Sequence, residues 1–130
     1  MMILADSSFF IAVADKKDQW HSAAKKLVPE ITGETPVISD LIIAEAVTII
    51  GRRSGGKAGE RLYHYFTDNC ELVPATGHVL KGGMSVFVQY DGTISLSDAV
   101  SVHIMRTQQI DTIVSFDSDF DKVEGIRRLY

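Results

Sequence analysis

Apolar and polar positions divide the chain into short and long blocks that predict strands and helices in turn. Short apolar runs predict buried strands at residues 1–5, 36–40, 71–75 and 111–116. Longer stretches between them carry apolar residues three and four positions apart, which is typical of helices. The predicted helices are FFIAVA after the first strand, then residues 18–28, 41–50, 60–67, 79–89 and 96–108.

The order of these elements predicts the fold class. Strands alternate with helices, which favours an α/β fold with a mostly parallel sheet covered on both faces. Residues 120–123 predict a turn or short helix, and GIRRLY at 125–130 adds a candidate edge strand. We therefore expect a three-layer sandwich with a central sheet of four to five strands flanked by helices, in a single domain over residues 1–130.

Composition excludes several classes of protein. The chain is 45% hydrophobic and 23% charged, as in soluble globular proteins, and its single cysteine, Cys70, cannot form an intramolecular disulfide. It has no apolar run long enough for a bilayer and no basic leader segment, so we expect a cytoplasmic protein with no membrane contact. The net charge of −4 does not exclude a nucleic-acid enzyme, because bound cations would reverse the sign locally.

Acidic residues recur where the predicted elements meet. Asp6 ends the first strand and Asp117 the fourth, so both are expected at the carboxyl edge of a parallel sheet, where ligands bind. Asp98 starts a helix, with Ser97 or Asp98 as its cap. Glu45 lies in an apolar helix that we expect to be buried, where a carboxylate needs a partner, a proton or a metal. Taken singly, Asp6 and Asp98 are better explained as helix caps than as catalytic residues, and Glu45 is equally well explained as the partner of an arginine.

Taken together, the acids indicate a divalent-metal site. Gathered carboxylates repel one another, and a hard cation such as Mg²⁺ or Mn²⁺, which prefers oxygen ligands, removes that repulsion. Two such ions about 4 Å apart can stabilise the attacking and leaving oxygens of a phosphodiester. The sequence therefore favours a hydrolytic nuclease. In the segment SFDSDFD, we expect Phe120 to turn inward and Asp121 to be solvated.

The segments that carry these acids resemble the PIN domain family, especially its VapC-type toxins. The likeness covers nearly the whole chain and lies in LADSSFFIAVADKKDQWH, SDLIIAEAVTII, LSDAVSVHIM and IVSFDSDFDKVEGI. By this resemblance the metal ligands are Asp6, Glu45, Asp98 and Asp117, and Asp119 is an auxiliary catalytic residue. Ser7 falls where the family carries Thr, Ser or Asn, which implies a supporting role near the metal, although helix capping explains it as well.

The resemblance implies a Mg²⁺- or Mn²⁺-dependent ribonuclease that hydrolyses RNA phosphodiester bonds as the toxin of a toxin–antitoxin pair. It also implies a homodimer and a small antitoxin protein as partner. Basic residues in GRRSGGKAG, residues 51–59, are candidate contacts to the RNA backbone, with a solvated helix end as the alternative. These residues are Arg52, Arg53 and Lys57.

Other functions remain open from the sequence. A non-catalytic PIN-like module that binds RNA or protein would share the fold, and so would a housekeeping RNA-processing nuclease. A phosphoaspartyl enzyme of the haloacid dehalogenase type needs a second Asp two positions after Asp6, where Ser8 stands. A receiver domain needs an Asp after its third strand, which ELVPATG does not provide. The four histidines are dispersed, and we expect no organic cofactor.

Overall fold

The computed structural model describes residues 2–130, and within them five strands form one parallel sheet. The strands are β1 Ile3–Ala5, β2 Val37–Ser39, β3 Glu71–Val73, β4 Thr112–Val114 and β5 Arg127–Leu129. Their order across the sheet is β3-β2-β1-β4-β5, and each neighbouring pair is parallel. The predicted α/β class and the predicted edge strand are confirmed. Met1, the first residue of the predicted opening strand, lies outside the described residues.

Six α-helices flank the sheet in the part of the chain that the structure describes. They are α1 Ser7–Ala14, α2 His21–Ile31, α3 Asp40–Ser54, α4 Gly56–Asn69, α5 Gly77–Gln89 and α6 Leu96–Gln108, followed by a 3₁₀ helix, Ser118–Lys122. The bounds of α6 agree with the prediction. None of these helices combines the length and apolar character needed to cross a membrane.

Several predicted helix boundaries differ from the structure: α2 is shifted towards the C-terminus, α3 is longer, and α4 begins at Gly56 rather than at residue 60. Helix α2 begins at His21 rather than at residue 18, because the Asp18 carboxylate accepts the Trp20 N–H at 2.9 Å and forms a turn before the helix. Helix α3 continues through Gly51 and both following arginines, and it ends where Gly55 adopts a φ of 93°. Only a glycine adopts that backbone angle readily, so Gly55 separates α3 from α4.

The apolar core lies on both sides of the short strands. Ile3, Leu4 and Ala5 of β1 are all 0% exposed, as expected for a central strand of a parallel sheet. Phe10 of α1 meets Phe66 of α4 edge to face, with ring centroids 4.6 Å apart. This packing fixes the ends of the strands, and with them the residues that follow β1 and β4.

Close packing between α5 and α6 sets the position of the helix that carries Asp98. A Cβ atom on Gly83 would lie 2.5 Å from the Val100 side chain and 3.1 Å from the Val100 Cα. A Cβ on Gly82 would overlap the His103 ring. The two glycines therefore allow α5 to approach α6 more closely than any larger residue would permit.

We expect Gly83→Ala to destabilise the protein by about 1–3 kcal/mol, because the added methyl group forces the two helices apart. Urea unfolding measures this loss. Gly77→Ala is the matched control, since nothing lies within 4 Å of a Cβ at that first residue of α5. Equal unfolding free energies for the two variants would contradict the close approach.

Candidate active site

Asp6 lies at the carboxyl edge of the sheet, between β1 and β4. Its N–H donates to the Val114 carbonyl oxygen at 3.0 Å, which continues the pairing of the two strands by one residue. Its carboxylate is buried and accepts hydrogen bonds from the hydroxyls of Ser8 and Ser115, each at 2.8 Å. Asp6 occupies the N-cap position of helix α1, but its side chain makes no capping hydrogen bond there and is directed to the two serines instead.

Ser115 was not recognised from the sequence, because the predicted fourth strand ran to residue 116. The strand ends at Val114, which pairs with Ala5, so Ser115 lies beside Asp6. Parallel register with β1 would have revealed this, had the strand end been placed correctly. The correction also moves Asp117 to three residues beyond the strand, where its N–H donates to Ser115 Oγ at 3.0 Å.

Asp117 and Asp119 are joined by the 3₁₀ helix that follows β4. The Asp117 carboxylate accepts the Asp119 N–H at 2.9 Å and caps this helix. The Asp119 carboxylate pairs with Lys122 at 3.1 Å, and the Lys122 ammonium also donates to the Thr93 carbonyl oxygen at 3.1 Å. Phe120 is 1% exposed, which confirms that it anchors the segment inward.

Asp121 is exposed to solvent, as predicted, and it also forms an ion pair that the sequence did not indicate. Its two carboxylate oxygens accept from Nε and Nη2 of Arg128, each at 2.9 Å. Nη1 of the same guanidinium donates to the Ser115 carbonyl oxygen at 3.1 Å. Asp121 therefore helps to hold the end of β4 through Arg128, because a bidentate pair fixes the orientation of both side chains.

Asp98 enters the site from the first turn of α6 without capping it. The cap is Ser95, whose hydroxyl accepts the Asp98 N–H at 3.1 Å, so the predicted caps Ser97 and Asp98 were wrong. Because Ser95 satisfies that end of the helix, the Asp98 carboxylate is left to face the other acids.

Glu45 is exposed, and the prediction of a fully buried helix around it was wrong. Ala44, Glu45 and Thr48 form an exposed strip of α3, while Ile42, Ala46 and Ile50 face the core. The Glu45 carboxylate accepts a hydrogen bond from the Ser7 hydroxyl at 2.6 Å. Its partner in the structure is therefore a serine of α1 instead of an arginine.

The predicted acids converge. Carboxylate oxygens of Asp98, Asp117 and Asp119 all lie within 4.8 Å of one another. Burial is the main cause that raises the pKa of Asp98 from 3.8 to about 8. The charges of Asp6, Asp117 and Glu45 raise this pKa further, in decreasing order of effect. A hydrogen bond from Ser95 opposes the shift. Asp6, Glu45, Asp98 and Asp117 thus belong to one electrostatic group, and Asp119 lies beside two of them.

The pKa of Asp6 is also raised. Burial is again the largest cause, and the charge of Glu45 adds to it, while hydrogen bonds from Ser115 and Ser8 oppose the shift. Crowded carboxylates of this kind take up protons unless a cation compensates them. A cluster with only carboxylate donors fits a hard divalent ion such as Mg²⁺ or Mn²⁺, and it does not fit a metal that prefers sulfur or imidazole.

The basic residues near the α3–α4 junction have different surroundings. The Arg53 guanidinium pairs with Asp15 at 3.1 Å and with Asp18 at 2.9 Å, and it lines a groove that adjoins Asp117. Lys57 pairs with Glu60 at 3.4 Å, and Arg52 is exposed. Contact of these side chains with RNA stays a prediction.

Comparison with known proteins identifies the class of this fold and site. Residues 3–126 match the PIN domain family, and the chain belongs to that family. It is similar to the 23S rRNA-specific endonuclease VapC20 of Mycobacterium tuberculosis, with 28% identity over 123 residues that cover 92% of each chain.

Solved structures agree with this assignment at the level of the fold. The crystal structure of Mycobacterium tuberculosis VapC20, described as a sarcin–ricin loop cleaving toxin, superposes with a TM-score of 0.84 at 24% identity and covers 92% of this chain and 93% of that one. VapBC2 from Rickettsia felis, bound to a DNA fragment from its promoter, gives 0.70 at 12% identity, covering 99% and 98%. Both therefore support the three-layer PIN architecture.

The raised pKa of Asp98 predicts how stability depends on pH. Without metal, the folded state holds a proton on Asp98 that the unfolded chain releases, so the stabilisation is complete below about pH 4 and is lost as pH rises towards about 8. We expect Asp98→Asn to flatten this decline and, at pH 8, to stabilise the metal-free protein by on the order of 2 kcal/mol, a figure reduced for partial solvent exposure.

Urea unfolding in EDTA across this pH range measures the effect. Asp68→Asn is the matched control, because Asp68 is exposed on α4 just before β3 begins, at the opposite edge of the sheet. A wild-type pH slope in Asp98→Asn would contradict the electrostatic crowding of the acids.

Proposed function

We propose that the chain is a Mg²⁺- or Mn²⁺-dependent ribonuclease in which residues 1–130 form one PIN domain. The observation that carries this proposal is the approach of three carboxylates to within 4.8 Å of one another, beside the buried Asp6. The name of VapC20, a 23S rRNA-specific endonuclease, supports RNA as the substrate of this chain.

The acids divide into ligands and an auxiliary. Asp6, Glu45, Asp98 and Asp117 hold the divalent cation, with hydroxyl groups setting the orientation of two of them. Ser8 and Ser115 both donate to one oxygen of Asp6, which leaves its other oxygen for the cation. Ser7 donates to one oxygen of Glu45 in the same way. Such outer hydrogen bonds restrict how a ligand can rotate, and they commonly affect metal affinity.

The remaining residues act on water and on RNA. When bound, the cation supplies positive charge that offsets the acids and polarises the phosphodiester. Asp119 accepts a hydrogen bond from the attacking water and so orients it, while Lys122 holds the Asp119 carboxylate in place. Arg52 and Lys57 flank the RNA backbone at the α3–α4 junction, whereas Arg53, which is paired with Asp15 and Asp18, supports the neighbouring turn.

Cleavage assays with defined RNAs test the proposal. We expect Mg²⁺- or Mn²⁺-dependent cleavage of a sarcin–ricin loop hairpin, and a loss of at least about 100-fold in Asp98→Asn, because one ligand carboxylate becomes a neutral amide. Asp68→Asn also removes one negative charge, but away from the acids, and it should cleave at the wild-type rate. An unrelated hairpin of equal length reports the selectivity for RNA sequence or shape.

Two results would sink the mechanism. One is full cleavage by Asp98→Asn that circular dichroism shows to be folded, and the other is full cleavage in excess EDTA. A folded wild-type protein that binds Mn²⁺, gains stability from it and yet cleaves none of the RNAs would favour a binding module over an enzyme.

We further propose that this ribonuclease is the toxin of a toxin–antitoxin pair, a homodimer held inactive by a small antitoxin protein. Induced synthesis in a bacterial host is expected to arrest growth, and Asp98→Asn at equal abundance is expected not to. Coproduction of the antitoxin protein that an adjacent short reading frame would encode should restore growth. Normal growth with an abundant, RNA-cleaving wild-type protein would indicate a housekeeping nuclease instead.

A further inference from the structure

A groove of about 370 Å³ adjoins the acid site on the side of Asp117. Ser8, Asp117, Trp20 and Phe116 are among the residues that line it. Because Ser8 is hydrogen bonded to Asp6, the groove is continuous with the proposed metal site. A strand of RNA whose phosphate lies at the acids would place a neighbouring nucleotide here.

Trp20 and Phe116 form a parallel aromatic pair in this groove. Their ring centroids are 5.3 Å apart and their planes differ by 1°. Trp20 nevertheless remains 43% exposed, although a large aromatic side chain is usually mostly buried. Exposed aromatic faces along a nucleic-acid path are the surfaces on which single-stranded bases stack.

Ion pairs of Arg53 hold the turn that carries Trp20. The backbone N–H of Trp20 donates to one carboxylate oxygen of Asp18 at 2.9 Å, and the other oxygen of Asp18 accepts from Arg53 at 2.9 Å. Arg53 also bonds to Asp15 at 3.1 Å, so the end of α3 clamps the connection between α1 and α2. Exposed ion pairs of this kind add little stability. Here they hold the backbone of the turn that carries the indole ring of Trp20.

Phe116 is held by a backbone hydrogen bond to a residue of the acid site. Its N–H donates to Ser8 Oγ at 3.0 Å, and its chain neighbours are Ser115, which bonds to Asp6, and Asp117. The aromatic pair therefore keeps a fixed position relative to the carboxylates.

We propose that Trp20 and Phe116 form a stacking subsite for a base of the RNA substrate, next to the phosphate at the acid site; this inference rests on the proposed ribonuclease function. The ligand is a base and not a second phosphate, because the charged groups of the groove are two carboxylates, Asp18 and Asp117, and one guanidinium, Arg53. That balance repels a phosphate and leaves a neutral aromatic ring as the matching ligand. Arg53 is then a positioning residue for Trp20.

Fluorescence tests binding directly, because Trp20 is the only tryptophan of the chain. Asp98→Asn protein in Mg²⁺ is titrated with a short single-stranded RNA and with an abasic RNA of the same sugar-phosphate backbone. We expect the intact RNA to quench the indole emission and to bind about tenfold more tightly than the abasic RNA. Equal quenching and equal affinity for both would overturn the subsite.

Kinetics of RNA cleavage supply an independent test. Trp20→Leu is expected to raise KM about tenfold and to leave kcat within about twofold, since the stacked base lies beside the reacting phosphate and takes no part in its chemistry. Trp20→Phe should recover most of the loss. Tyr63→Ala is the matched control, because Tyr63 is 46% exposed on α4 and outside the groove.

The outcomes separate this inference from the function on which it rests. Unchanged KM in folded Trp20→Leu, with normal cleavage, would overturn the stacking subsite and leave the nuclease intact. Base-dependent quenching in a protein that cleaves no RNA would support the subsite while refuting the proposed activity. A loss in Trp20→Leu that Trp20→Phe does not rescue would assign Trp20 a purely structural role and overturn the proposal.

Discussion

The hydrogen bond from the Asp6 N–H to the Val114 carbonyl oxygen fixes the arrangement on which the rest of the site depends. It continues the parallel register of β1 and β4, in which Ala5 faces Val114, by one residue beyond the strands. A slip of one residue would turn every side chain of β4 to the opposite face of the sheet. In the observed register Ser115 lies beside Asp6, and the Asp117 N–H then bonds to Ser115.

The site holds carboxylates close together although their negative charges repel one another. Three serine hydroxyls donate to Asp6 and Glu45, which fixes their geometry, but a neutral hydroxyl cannot cancel a charge. Burial is the largest cause of the raised pKa values of Asp6 and Asp98, and the neighbouring negative charges raise both further. A fold with a packed core can tolerate such a local cost at a functional site.

Sequence patterns predicted the parts of this structure that depend on local periodicity. The strand–helix alternation gave the parallel sheet, and the strand ends indicated Asp6. The end of β4 was misplaced because Ser115 and Phe116 extend its apolar run without a turn signal. Exposure of Glu45 was missed because the periodicity of a nearly apolar segment does not show which side faces solvent. Pairing of Asp121 with Arg128 depends on tertiary packing across a turn, which no local pattern encodes.

The strand order also determines when the acid group can assemble. Ser115 and Asp6 are 109 positions apart, and their contact requires β4 to insert beside β1 after the intervening helices have been made. Because synthesis proceeds from the N-terminus, Asp6 is made early, whereas Ser115 and Asp117 are made only near the end of translation. The group of acids therefore cannot be complete until the fourth strand has been made.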